Sequence, residues 1–173
     1  MRSFAANVPL FVPAIVITIL VAIAGSRVVG RDLGAPRWVA FLLIASVGLI
    51  AAATVTPLRS ALDGVTAIEA VCDLHRFGPA GVWHGLYLTD AGLNVLLFIP
   101  LGVAVGLLPR SRRAAAVLAA AALSPVLIEV IQLLVRPLGR SCQSGDVVDN
   151  LTGLAAGLLV GLLGARSLAR LRR

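Results

Sequence analysis

Residues 146–165 read DVVDNLTGLAAGLLVGLLGA. Gly153, Gly157 and Gly161 recur every four residues and so share one face of an α-helix. Such a small-xxx-small stripe lets a neighbouring helix come close inside a bilayer. Asp149 lies four residues before Gly153, and Asp146 three before Asp149, so carboxylates continue the stripe at its start. From Asn150 to Ala165 sixteen residues carry no charge; at 1.5 Å each they reach ~24 Å, short of a ~30 Å hydrocarbon core. A span at 147–165, with Asp149 drawn into the membrane edge, is the reading that fits.

The same organisation recurs upstream. Between Asp90 and Arg110, in a run interrupted by Pro100, Gly102 and Gly106 keep the four-residue step, with Asn94 eight residues before Gly102. A run at 114–135 carries Ala115, Ala119 and Ala122, then Glu129 and Gln132. Two further apolar runs, about 8–24 and 38–58 (ending near Thr56), bring the count to five. With 59% hydrophobic and 13% charged residues and a mean hydropathy of +0.99, a soluble domain is excluded. The expected fold is all-α, a polytopic membrane helix bundle of five transmembrane helices forming one integral membrane domain, 1–173. Homo-oligomerisation would run through the first two spans.

All fifteen basic residues are arginine, against eight acids. They sit in short clusters between apolar runs, with no basic face of interleaved aromatics, which speaks for orientation in a membrane and against nucleic acid. With the N-terminus outside, ten arginines fall in the cytoplasm and five outside, so the chain is read as N-outside, C-cytoplasmic. Ala22-Ile23-Ala24 resembles a signal-peptidase site. Yet Arg2 alone precedes the apolar run while Arg27, Arg31 and Arg37 follow it, which favours a retained helix.

The longest connection, 57–89, then lies outside. Leu58, Leu62, Val65, Ile68 and Cys72 recur at three- and four-residue steps with Arg59, Asp63, Glu69 and Asp73 between them, predicting a short extracytoplasmic amphipathic helix. Gly78 to Gly81 would end it, and Trp83 and Tyr87 would sit at headgroup level. Cys72 and Cys142 fall on the same, oxidising side, and a disulfide between them is expected. Their spacing with His75 and His84 matches no regular zinc site; no metal or cofactor is assigned.

Asn94, Gln132 and Asp149 all fall within ~6 Å of the outer ends of their spans, and Glu129 about 10 Å in. A carboxylate there costs at least ~2.5 kcal/mol unless it is paired or protonated. Arg136, seven residues after Glu129 on the same helical face, and Arg140 are the candidate partners. Asn94 or Gln132 alone would serve as glue between helices. Glu129, Asp146 and Asp149 with Arg136, Arg140, Asn94, Gln132 and Asn150 are more than small helices need for association, and point to a pocket.

The stretch Asn94-Val-Leu-Leu-Phe-Ile-Pro-Leu-Gly102, then Glu129-x-x-Gln132, then Gly139-Arg140-Ser-Cys-Gln-Ser-Gly-Asp146-x-x-Asp149-Asn150-x-x-Gly153, resembles the VanZ-like membrane protein family. The resemblance covers a core of about 86–163, in the family's order and at its spacing. The positions that match the family's motifs are Asn94, Pro100, Gly102, Glu129, Gln132, Arg140, Asp146, Asn150 and Gly153; the family's namesake is associated with glycopeptide (teicoplanin) resistance, which the resemblance alone does not extend to this chain. It assigns no settled molecular activity.

Three functions follow. In the first, Arg136 and Arg140 hold a phosphate or carboxylate while Asn94, Gln132 and Asn150 supply neutral hydrogen bonds and apolar walls take a lipid chain; the partner is a membrane lipid or lipid-linked envelope precursor. In the second the pocket is an enzyme site, with Glu129 as general acid or base beside Asp146 or Asp149, or with the three carboxylates around a divalent cation. No nucleophile motif or phosphate loop accompanies them. The third is a structural or transport role, for which no repeated half is found.

Overall fold

The computed structural model describes residues 7–64, 71–76, 78 and 90–171. Its elements in chain order are α1 (Phe11–Leu33), α2 (Arg37–Thr54), the single turn α3 (Arg59–Leu62), β1 (Cys72–Asp73), α4 (Asp90–Gly106), α5 (Arg112–Leu134), a 3₁₀ turn (Arg136–Leu138), β2 (Cys142–Gln143) and α6 (Ser144–Leu171). Helices α1, α2, α5 and α6 are long and apolar enough to cross a membrane. α4, with 17 residues, is shorter.

Helix ends differ from the charge-free runs in the sequence. α1 starts at Phe11 and continues through Arg27 and Arg31 to Leu33, where Gly34 adopts φ 63°; an exposed arginine does not stop a helix, whereas a left-handed glycine followed by Pro36 does. α6 likewise starts at Ser144, so Asp146 and Asp149 are both helical. Pro100 does not interrupt α4; neighbouring helices support a proline inside a buried apolar helix.

The centre of the bundle is the pair α4 and α6, joined along most of their length, with α1 on α2 and α2 on α4. A Cβ at Gly153, Gly157 or Gly161 would lie under 3.0 Å from the backbone of Val95, Ile99 or Gly106. From the other side, a Cβ at Gly102 or Gly106 would strike the backbone around Leu154 and Leu158. The two glycine stripes thus interlock, and backbone meets backbone. Phe98, Leu101, Ala104 and Leu154 form the core beside this seam, with Leu43 and Ile50 of α2 and Ala121 and Ile128 of α5.

α5 departs from expectation. Ala115 and Ala119 are exposed, whereas Ala122, half-buried, packs against the core; the buried positions are Ala121, Pro125, Ile128, Glu129 and Gln132. Alanine's small size permits close approach without requiring it, and only the part of the stripe nearest the chamber makes the contact. α5 therefore packs mainly on α6, touching α4 more lightly.

At one end of the bundle, Arg113 Nη1 donates to Asp32 Oδ1 at 2.6 Å and to the Asp32 carbonyl, tying α1 to α5. At the other, Leu58 N–H donates to Leu138 O at 3.0 Å, and Cys72 pairs with Cys142 in a parallel two-stranded bridge. The Cys72–Cys142 disulfide is formed there, with Cα atoms 4.5 Å apart and a sequence separation of 70. Of the predicted amphipathic helix, the described residues hold the single turn Arg59–Leu62. Gly64 at φ 72° ends it, and Cys72 is held extended by the bridge. Val65, Ile68 and Glu69, like Trp83, His84 and Tyr87, lie outside the described residues.

Candidate functional site

At the disulfide end, where α5 stands off from α2 and α4, lies a cavity of about 550 Å³. Six of the polar residues singled out in the sequence line it: Asn94, Glu129, Gln132, Arg140, Asp146 and Asn150. They come from α4, α5, the α5–α6 connection and the first two turns of α6. Leu49 and Ala53 of α2, Leu93 and Leu97 of α4 and Ile128 of α5 make apolar walls, and Phe11 borders the space from α1. Leu93 and Leu96 are also exposed on the outside of the bundle, so this side of the chamber is walled by a surface that would meet lipid.

The polar groups are positioned by backbone that secondary structure leaves unpaired. The last carbonyls of a helix have no partner within it, and at the end of α2 two outside residues serve that region. Gln132 Nε2 donates to Thr54 O at 3.0 Å, and Arg140 Nε donates to Thr56 O at 3.3 Å, a cation at a helix C-terminal end. Glu129, 5% exposed, accepts the Gln143 backbone N–H on Oε2 at 2.7 Å. That bond fixes the carboxyl group against β2, one residue from the disulfide.

Two atoms in this chamber stand out. Arg140 Nη2 and Asn150 Oδ1 are both buried with no hydrogen-bond partner. Asn150 is only 1% exposed. Arg140 is in none of the ion pairs among the described residues, and burial pushes its guanidinium below the usual arginine range. A buried donor of a cation and a buried amide oxygen left unmatched cost about 1–3 kcal/mol or more apiece. They are the chamber's strongest claim to a ligand.

Two expected site residues are elsewhere. Arg136 is exposed and does not line the cavity. Its placement on the Glu129 face assumed that the helix continues, but α5 ends at Leu134 and a 3₁₀ turn containing Pro137 follows; proline restrains the residue before it away from helical geometry. Asp149, 0% exposed, is absent from the cavity lining and is bound instead by Arg76, whose Nη1 and Nη2 donate to its two carboxylate oxygens at 3.0 and 2.5 Å. The chamber therefore brings Glu129 and Asp146 together without Asp149, and the three carboxylates do not share one point.

Arg76 is the residue that sequence reasoning passed over. It lies 73 positions from Asp149, and the local pattern of its loop says nothing about α6. Its carbonyl accepts from Ser144 Oγ at 2.8 Å, and its guanidinium lies over Gly145, where a Cβ would meet Cζ at 2.7 Å. The paired carboxylate raises the Arg76 guanidinium further above its ordinary value. The one usable signal was Gly145 between Ser144 and Asp146, a bare patch at the start of a helix beside acids that need a cation.

Membrane-length helices around a polar chamber at one end define a polytopic membrane protein. Residues 38–164 match the VanZ/LLP1 family, and the chain belongs to that family. The match reaches back through α2, beyond the core of about 86–163 that carries the resemblance. No curated protein and no solved structure matches the chain.

Proposed function

We propose that the chamber binds the anionic, hydroxyl- or amine-bearing headgroup of a lipid-linked cell-envelope molecule at the outer leaflet. The observation that carries this is the pair of buried unmatched atoms, Arg140 Nη2 and Asn150 Oδ1, in one cavity. A phosphate oxygen would satisfy the arginine, and a hydroxyl or ammonium hydrogen the amide oxygen. Asn94 and Gln132 add neutral polar atoms, Glu129 and Asp146 accept further donors, and the leucine walls of α4 receive the chain. Five crossings with the N-terminus outside and the C-terminus in the cytoplasm, the arrangement favoured by arginine counting, put this end of the bundle at the outer leaflet.

Native mass spectrometry of the purified protein with a polyprenyl phosphate, and with phosphatidylcholine as the neutral comparison, tests the reading. The polyprenyl phosphate should be retained by the parent and by Arg136→Ala, and lost at least tenfold in Arg140→Ala and Asn150→Leu proteins whose intact disulfide and melting temperature report folding. Equal retention by all four proteins overturns it. A link to glycopeptide tolerance is the cellular extension of the same proposal: expression in a sensitive host should raise the teicoplanin concentration needed to stop growth, and Arg140→Ala should abolish the rise.

A second reading makes Glu129 a general acid or base acting with Asp146. It is favoured by the fixed hold of the Gln143 N–H on a carboxylate that borders the cavity. A product released from labelled envelope lipid by the parent and not by Glu129→Gln distinguishes it from binding alone.

A further inference from the structure

The end of the bundle opposite the disulfide has a cavity of its own. Arg27, Arg31 and Arg37 line a space of about 430 Å³ at the α1–α2 corner, together with Ser26 and Gly30 and without any carboxylate. Asp32, the nearest acid in sequence, is held by Arg113. Ser26 Oγ accepts from Arg37 Nε at 3.0 Å, anchoring that guanidinium across the two helices. Gly30 keeps the corner tight, since a Cβ there would stand 3.0 Å from Ala35 O.

A second space of about 450 Å³ adjoins it through Ser26 and Arg37 and is otherwise bordered by Ile23, Trp38 and Phe41. Its wall is mainly apolar, and Trp38, 53% exposed, has the amphipathic ring suited to headgroup depth. Three cations beside an apolar groove match one chemistry, an anionic head joined to an acyl chain.

We propose that the α1–α2 corner is a binding site for an anionic glycerophospholipid, its phosphate among Arg27, Arg31 and Arg37 and an acyl chain along Ile23, Trp38 and Phe41. This site is separate from the chamber and does not depend on the function proposed there. A diffuse attraction of a basic membrane end for acidic lipid would not distinguish these three arginines from Arg110 and Arg112, which lie outside both cavities.

The test uses the full chain in nanodiscs of mixed phosphatidylglycerol and phosphatidylcholine, released into native mass spectrometry. The parent should retain phosphatidylglycerol over phosphatidylcholine. Because direct charge-assisted hydrogen bonds to the phosphate are lost, Arg27→Gln with Arg31→Gln should lower retention at least about tenfold, while Arg110→Gln with Arg112→Gln leaves it unchanged. Millimolar inorganic phosphate should not displace the lipid, because it cannot fill the groove. No preference between the lipids in the parent, an equal loss in the Arg110/Arg112 variant, or displacement by inorganic phosphate would each overturn the proposal.

Discussion

The seam between α4 and α6 and the chamber beside α5 are built from neighbouring stretches of the same helices, yet they solve opposite problems. Along the seam, five glycines leave no side chain at the points of closest approach, and the two backbones touch there. Toward the chamber, α5 meets its neighbours through Ile128, Glu129 and Gln132, and the larger side chains hold the helices apart. Lipid provides no hydrophobic drive between helices, so close packing has to hold the bundle together. The tight seam is what allows a loose, polar space to persist next to it. The comparison teaches that the glycines are the scaffold of the site although none of the three on α6 lines it.

The largest effect should come from the seam. Gly157→Leu drives a side chain into Ile99 backbone and is expected to cost more than ~3 kcal/mol, beyond ordinary overpacking because backbone cannot give way; loss of monodisperse protein after extraction would be the readout. Ala119→Leu, on the exposed face of α5, should extract and melt like the parent. If both behave alike, the contrast between the two regions is wrong.

The next effect concerns what closes the chamber's end of the bundle. Arg76→Ala leaves the fully buried Asp149 carboxylate without its bidentate partner. The expected loss is about 2–3 kcal/mol, less than for a wholly buried pair because the arginine is 39% exposed and partly screened. Adding Asp149→Asn to Arg76→Ala should restore part of the lost melting temperature, giving a coupling of at least ~1 kcal/mol in a double-mutant cycle. Strict additivity would mean that the pair does not hold the loop.

Reducing the Cys72–Cys142 bond, or replacing both cysteines by serine, opens a 70-residue loop and should cost about 2–4 kcal/mol. The loss should fall mainly at the disulfide end, read as faster hydrogen exchange at Gln143 and Ser144 with the α4–α6 seam unchanged. Uniform exchange along both helices would show that the two regions are not independent.

The smallest stability effect sharpens the chamber itself. Arg140→Met removes a buried cation held by one long bond to Thr56 and should change the melting temperature little, or raise it, since replacing a poorly partnered buried charge by an apolar chain is often neutral or favourable. A large loss would make Arg140 a structural strut and weaken the ligand reading.

Much of this was legible from residue spacing. The four-residue glycine steps at 102–106 and 153–161 announced the seam, and because small stripes mark contact faces, Asn94 and Asp149 could be placed on the interior side, where Asp149 is indeed fully buried. Both cysteines could be put on one side by counting arginines. The failures share a cause. Arg136 was extrapolated along a helix that gives way to a turn at Pro137, and the contact read along the alanines of α5 was carried too far, to the exposed Ala115 and Ala119.

The sequence by itself determined how the helices run, which faces are small, and at which end the polar groups collect, because these depend on the 3.6-residue period and on the cost of charge in lipid. Only the tertiary structure decided the partners: Arg76 for Asp149, the Gln143 N–H for Glu129, and the end of α2 for Gln132 and Arg140. A hydrogen bond is settled by ångströms between segments up to 84 residues apart, and no local pattern in the chain encodes that distance.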